Sequence, residues 1–245
     1  MGDTKSRPPA SGVEDHKLPA SAEGDVSAFL EQVNRLPPSA KVSGKRGRLI
    51  FGMDATMSRQ PTWDRALQIQ SDMFLETERI GGLDVQLVYF RGFNECRASK
   101  WASEPSALAR MMTGITCQGG NTQIGKVLAH IRHEATAGKV NAAVYVGDAM
   151  EENIDALCKK AGEIGLVGVP IFMFQEGHDG SAERAYREIA RLTRGAYFRL
   201  SASSAQMLRE LLAAVAVYAA GGRTALADHS EEKGGSARLL LEQLK

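Results

Sequence analysis

From position 48 onward the chain alternates short apolar runs with longer stretches whose apolar residues recur every three or four positions. That alternation is the pattern of a parallel sheet wrapped by helices. RLIFGMD (48–54) reads as a buried strand, and 61–80 as a helix with Ala66, Leu67, Met73, Phe74, Thr77 and Ile80 on its inner side, ended by Gly81-Gly82. DVQLVYF (84–90) predicts a second strand, and the more polar ECRASKW (95–101) a short edge strand returning by a hairpin-like loop. A helix is expected near 105–112. The loop GITCQGGNT then leads into a helix over 122–137 that turns Ile124, Val127, Leu128 and Ile131 inward. Strands over 140–148, 167–174 and 196–200 alternate with helices over 152–164, 181–193 and 203–219. The fold class that follows is α/β: a doubly wound, mostly parallel six-stranded sheet, Rossmann-like, with helices on both faces and one antiparallel edge strand.

The flanks have a different texture. Residues 1–45 are rich in Pro, Ser, Gly, Ala and charge and read as a flexible arm with one short helix over 25–36, where Val26, Phe29, Leu30 and Val33 fall at helical spacing. The basic cluster Lys41, Lys45, Arg46 and Arg48 reads as a solvated linker. The domain is expected over 46–220. Residues 221–245 read as a polar linker followed by the short amphipathic helix ARLLLEQLK.

Charge and cysteine content narrow the function classes. In a chain of 245 residues, 30 Lys+Arg against 29 Asp+Glu leave a formal charge of +1, so no whole-chain attraction to nucleic acid or an anionic membrane is expected. Cys96, Cys117 and Cys158 are odd in number and widely spaced, which argues against a disulfide framework or a Cys-type zinc site and for a reducing compartment. No secretory apolar segment and no long uncharged apolar run stands out, so a cytoplasmic location is expected. Gly2 and Ser6 satisfy the two fixed positions of a myristoylation pattern, a match too short to carry an assignment.

In a doubly wound sheet, ligands bind outside the carboxyl ends of the strands, so the residues that end each strand carry the candidate chemistry. The first strand ends in Asp54-Ala55-Thr56-Met57-Ser58, one carboxylate and two hydroxyls within five residues, all oxygen donors of the kind a hard divalent cation takes. The strand VNAAVYVG ends in a second carboxylate, Asp148. Gly119-Gly120-Asn121-Thr122 offers a further hydroxyl after a glycine loop. Each piece alone also reads as a turn or a helix cap; together they fall where the fold brings them to one rim.

Asp54-x-Thr56-x-Ser58, Thr122 after a Gly-Gly loop and Asp148 resemble the metal-ion-dependent adhesion site (MIDAS) of the von Willebrand factor A-type (vWA) domain, in a bacterial stand-alone form, over roughly residues 46–220. The family's first motif is most often Asp-x-Ser-x-Ser; here Thr56 keeps the oxygen and adds a methyl. The resemblance implies that Thr56, Ser58 and Thr122 contact the metal directly and that Asp54 and Asp148 act directly or through water. It further implies an open coordination position for an Asp or Glu of a protein partner, hence a metal-dependent protein–protein interaction module without catalysis of its own, an adaptor in an intracellular assembly. Mg²⁺ is the expected ion, with Mn²⁺ or Ca²⁺ as substitutes. Around the metal, Met57, Arg59 and Gln60 are expected as exposed rim residues, with Arg59 flanking the incoming carboxylate, and Glu151 and Glu152 are expected on the first turn of their helix, pointing away.

Three other readings compete. Asp54 as nucleophile, with Gly147-Asp148 and Glu152 as a metal motif, resembles the haloacid-dehalogenase phosphotransferases, although the second Asp usual two residues on is replaced by Thr56. Gly120 to Lys126 matches G-x-x-x-x-G-K of a phosphate-binding loop, but Val127 stands where Ser or Thr is needed and no buried strand precedes it. His130, His133 and Glu134 share a helix face, and a solvated face accounts for them.

Overall fold

The computed structural model describes residues 46–77, 81–200 and 205–232. The expected helices over 25–36 and in ARLLLEQLK lie outside those residues. Six strands, β1 (Gly47–Asp54), β2 (Leu83–Arg91), β3 (Glu95–Ala102), β4 (Ala142–Gly147), β5 (Ile171–Glu176) and β6 (Tyr197–Leu200), form one sheet in the order β3-β2-β1-β4-β5-β6. Every pairing is parallel except β2 with β3, which is antiparallel. The polar β3 is thus one edge and the short β6 the other, while the apolar runs β1, β2, β4 and β5 lie inside, as their burial on both faces demands.

Strand alternation divides the core in two. Leu49, Phe51 and Met53 of β1 face one layer, built with α1 (Gln60–Thr77), α2 (Pro105–Thr113) and α6 (Ala205–Glu232). Ile50 faces the other, built with α3 (Ile124–Ala137), α4 (Ile154–Leu166) and α5 (Gly180–Leu192). From β1 the chain order runs to β2 on one side and β4 on the other, so the switch point lies between the carboxyl ends of β1 and β4.

Three boundaries differ instructively from the sequence reading. The last helix does not stop near 219; α6 runs through the polar stretch to Glu232, changing direction at Gly222, whose φ of 72° suits glycine. Leu226 beyond the bend is buried against the same core and holds this second half in place. In addition, α3 begins at Ile124 and α4 at Ile154, two residues later than periodicity placed each, which leaves Thr122, Glu151 and Glu152 in loops. Over Leu208–Glu232, α6 is long and apolar enough to cross a membrane, yet most of its apolar part is buried within the domain.

Candidate metal centre

Asp54 is the last residue of β1 and the chain turns at once into a single 3-10 turn, Met57–Arg59. Ala55 N–H donates to Phe90 O (2.9 Å) and Gln118 N–H to Ala55 O (3.0 Å), so the loop is pinned to the end of β2 on one side and to the segment before α3 on the other. Asp54 Oδ1 accepts from Thr56 N–H at 2.8 Å. Its Oδ2 is buried and accepts no hydrogen bond, an unusual state for a carboxylate oxygen in a side chain only 1% exposed. Burial pushes the carboxyl up to about 6; the hydrogen bonds from Thr56 oppose that, Asp148 adds to it and Arg59 opposes it.

The hydroxyls follow in a chain. Thr56 Oγ1 and Ser58 Oγ are 3.4 Å apart, and Ser58 Oγ donates to Asp148 Oδ2 at 3.1 Å. Asp148 follows β4 directly, and the loop after it is held by Tyr186, whose hydroxyl donates to Ala149 O at 2.8 Å. Asp54, Thr56, Ser58 and Asp148 therefore converge at the switch point.

Thr122 is placed differently. Its loop is fastened to the β2–β3 turn by Asn121 N–H donating to Gly92 O (3.2 Å), so closely that a Cβ on Gly120 would lie 1.9 Å from Gly92 O. The Thr122 hydroxyl accepts from Glu151 N–H (3.1 Å), and Thr122 N–H donates to Glu151 Oε2 (3.1 Å). Thr122 is buried, and its oxygen keeps a second lone pair beyond the bond from Glu151.

Three expectations about the rim are corrected. Arg59 is not an exposed rim residue: it is 4% exposed, with Nη1 3.5 Å from Asp148 Oδ2 and Nη2 2.8 Å from Glu176 Oε2. The 3-10 turn points it inward toward two strand-end carboxylates, which a buried guanidinium requires as partners. Glu152 is not on the first turn of α4. Its carboxylate accepts from Ile124 N–H, and from Gly125 N–H at 2.9 Å, capping α3, whose free amides and positive dipole end attract it. Glu151 likewise sits at Thr122 rather than on a helix. Gln60 does lie beside the site, half-buried, donating to Asp64 Oδ1 at 2.7 Å, and Met57 is 64% exposed as expected.

Glu176 escaped the sequence reading. The rule that found Asp54 and Asp148, inspection of what ends each strand, finds it once β5 is extended to its true end. Thr62 Oγ1 donates to Glu176 Oε2 (2.5 Å), and Arg65 Nη1 stands 3.7 Å from Oε1.

The donors present fit a hard divalent ion: one buried carboxylate oxygen without a hydrogen-bond partner, two neighbouring hydroxyls and a second carboxylate. Among the described residues no group of three or more His, Cys, Asp or Glu side chains gathers as a metal cluster. The donor set here is half hydroxyl and does not depend on one. His130 engages Gln86 Oε1 at 2.9 Å and approaches Glu134 to 4.0 Å, which accounts for it structurally. Lys126 of the G-x-x-x-x-G-K match reaches Asn94 O at 3.1 Å, and no strand precedes its loop.

No protein-family model and no curated protein matches the chain. Its fold is that of the vWA domain. A von Willebrand factor type A protein from Catenulispora acidiphila superposes with a TM-score of 0.57 at 16% identity, covering 69% of this chain and 42% of that one. The SpRpn10 VWA domain does so with 0.55 at 11% identity over 69% and 95%. Proximal thread matrix protein 1 from the mussel byssus, in a structure with a zinc-occupied MIDAS motif, gives 0.56 at 14% identity over 71% and 46%. The chain thus spans less than half the length of the Catenulispora and mussel structures.

Proposed function

We propose that this chain is a divalent-cation-dependent protein-interaction module of the MIDAS type, without catalysis of its own, acting as an adaptor in a cytoplasmic assembly. The observation that carries the reading is the buried, unpartnered Asp54 Oδ2 beside the Thr56 and Ser58 hydroxyls and Asp148 at the sheet's switch point. Removing a carboxylate from water costs several kcal/mol unless a charge meets it, and a fold that maintains such a group has a use for it. The zinc-occupied MIDAS motif of the mussel protein supports the same reading.

Asp54, Thr56, Ser58, Thr122 and Asp148 would hold the ion, Mg²⁺ by default, with Mn²⁺ or Ca²⁺ as substitutes. When bound it supplies a Lewis-acidic centre that attracts an anionic oxygen. Asp54 and Asp148 supply the two carboxylates, and the hydroxyls bind through oxygen without adding charge, which leaves affinity for an Asp or Glu of a protein partner. Exposed Met57 provides apolar contact beside it.

The phosphotransferase alternative fares less well. Phosphotransferases of that class usually carry a second Asp two residues after the nucleophile, and Thr56 stands there. Glu152, which that reading needs as a metal ligand, is committed to capping α3.

Titration calorimetry with Mg²⁺ tests the site. Asp54→Ala is expected to abolish binding while the far-ultraviolet spectrum stays native; undiminished binding would remove Asp54 from the site. Proteins captured on the immobilised chain in Mg²⁺ should be released by chelator. Asp54-dependent hydrolysis of aryl phosphates would instead favour the phosphotransferase.

A further inference from the structure

Arg59 is the feature that a cation site of two carboxylates and three hydroxyls does not call for. It follows Ser58 directly, and its backbone is tied to the loop by Arg59 N–H donating to Thr56 O at 2.9 Å. Its side chain lies within the protein between the ends of β4 and β5. The oxygen it approaches, Asp148 Oδ2, is the one that accepts from Ser58. The guanidinium cannot easily withdraw, because Glu176 grips its other amino group and is itself held by Thr62 and Arg65.

We propose that Arg59 is a positioning residue that sets the strength of the cation site: it holds Asp148 against the Glu176 anchor and competes with the cation for that carboxylate, so Arg59 weakens cation binding and Glu176 strengthens it. The inference rests on the cation reading of Asp54 and Asp148. Asp54, Asp148 and Glu176, when ionised, bring three negative charges against the guanidinium of Arg59 and, at the far side of Glu176, that of Arg65, so a net negative charge remains for a divalent ion to balance. Fixed charges in a partly buried site act at a low effective dielectric, so removing one nearby charge shifts cation affinity by about tenfold or more. The sign depends on which charge is removed.

That opposition separates an electrostatic role from a structural one, since a variant that merely loosens the loop weakens binding whichever partner is changed. Mn²⁺ affinity is measured by electron paramagnetic resonance at low salt on the full chain, together with the rise in melting temperature on adding Mn²⁺. Arg59→Gln is expected to bind Mn²⁺ about tenfold tighter and to show a larger melting shift, although it is less stable in chelator because Asp148 and Glu176 lose their partner. Glu176→Gln is expected to bind about tenfold weaker. If Arg59→Gln fails to fold, the double variant Arg59→Gln/Glu176→Gln, which removes the charged pair together, is expected to bind about tenfold tighter than Glu176→Gln alone, because the two opposed charge changes offset each other.

Unchanged or weaker binding in a folded Arg59→Gln, or a double variant that binds no tighter than Glu176→Gln where the single one does not fold, overturns the inference. The cation reading survives that result provided the unsubstituted chain binds Mn²⁺ and Asp54→Asn does not. An unsubstituted chain that binds no Mn²⁺ overturns both.

Discussion

Asp54 illustrates what a buried carboxylate costs at the level of one side chain. Its carboxyl, raised from 3.8 to about 6 chiefly by burial, is charged at neutral pH in a place that disfavours charge. The folded state therefore takes up a proton at higher pH than the unfolded chain does, and metal-free stability rises as pH falls from above 6 toward 4. Asp54→Asn keeps the acceptor for Thr56 N–H and removes the charge, at the expense of burying an amide. In chelator at pH 8 it is expected to be about 1 kcal/mol more stable than the unsubstituted chain. That advantage should vanish by pH 5, which denaturant melts at several pH values will check. A substituted chain that is less stable at pH 8 and unchanged in its pH profile contradicts the account. Ligand sites built from buried charge commonly trade stability for function in this way.

At the scale of elements, the loops between strands and helices carry the candidate site, and helix termini fix the loops. Glu152 caps α3 by accepting from the amides of Ile124 and Gly125, and neighbouring Glu151 holds Thr122 through both backbone and hydroxyl. A carboxylate at a helix N-terminus also meets the positive end of the dipole. Glu152→Ala leaves those amides without acceptors and is expected to destabilise the protein by about 1–2 kcal/mol. It should also raise hydrogen exchange at Ile124 and Gly125 selectively. Exchange unchanged at those amides would show the cap to be dispensable. Because Thr122 lies two residues before α3, the same change tests whether the helix start positions that hydroxyl.

For the whole molecule, α6 completes one of the two helical layers. Leu208, Leu211, Leu212 and Val215 are buried against the sheet and α1, and the close approach of the helix to β1 depends on Gly47, where a Cβ would lie 2.5 Å from Ala219 O. The helix is apolar because it is a core element, and the domain's own surface covers it. Val215→Asp, which buries an unpaired charge in that layer, is expected to cost about 4 kcal/mol or more and to leave the domain largely unfolded at 37 °C, as circular dichroism and size exclusion will show. A native, monodisperse Val215→Asp would mean that α6 docks only loosely.

The sequence by itself determined the strand and helix order, the edge position of ECRASKW and the gathering of Asp54, Thr56, Ser58 and Asp148, because each follows from local periodicity and from the rule that strand ends share a rim. Its reach ended where a side chain's partner lies far along the chain. Arg59 after Ser58 reads as a solvated cation, since most arginines are, and only the approach of β4 and β5 brings Asp148 and Glu176 to it across gaps of roughly 90 and 120 residues. Glu152 reads as the start of its own helix by dipole and propensity, whereas the packing of α3 against α4 gives it the amides of another helix instead. The polar tail of α6 reads as a linker because its composition is polar, whereas beyond the bend at Gly222 buried Leu226, Ala225 packed beside it and the approach of His229 to Glu76 hold it on the domain. Local pattern fixes which elements form and where they end on the sheet; tertiary packing decides which charges meet, because electrostatic partners are chosen by distance in space and leave no periodic trace in the chain.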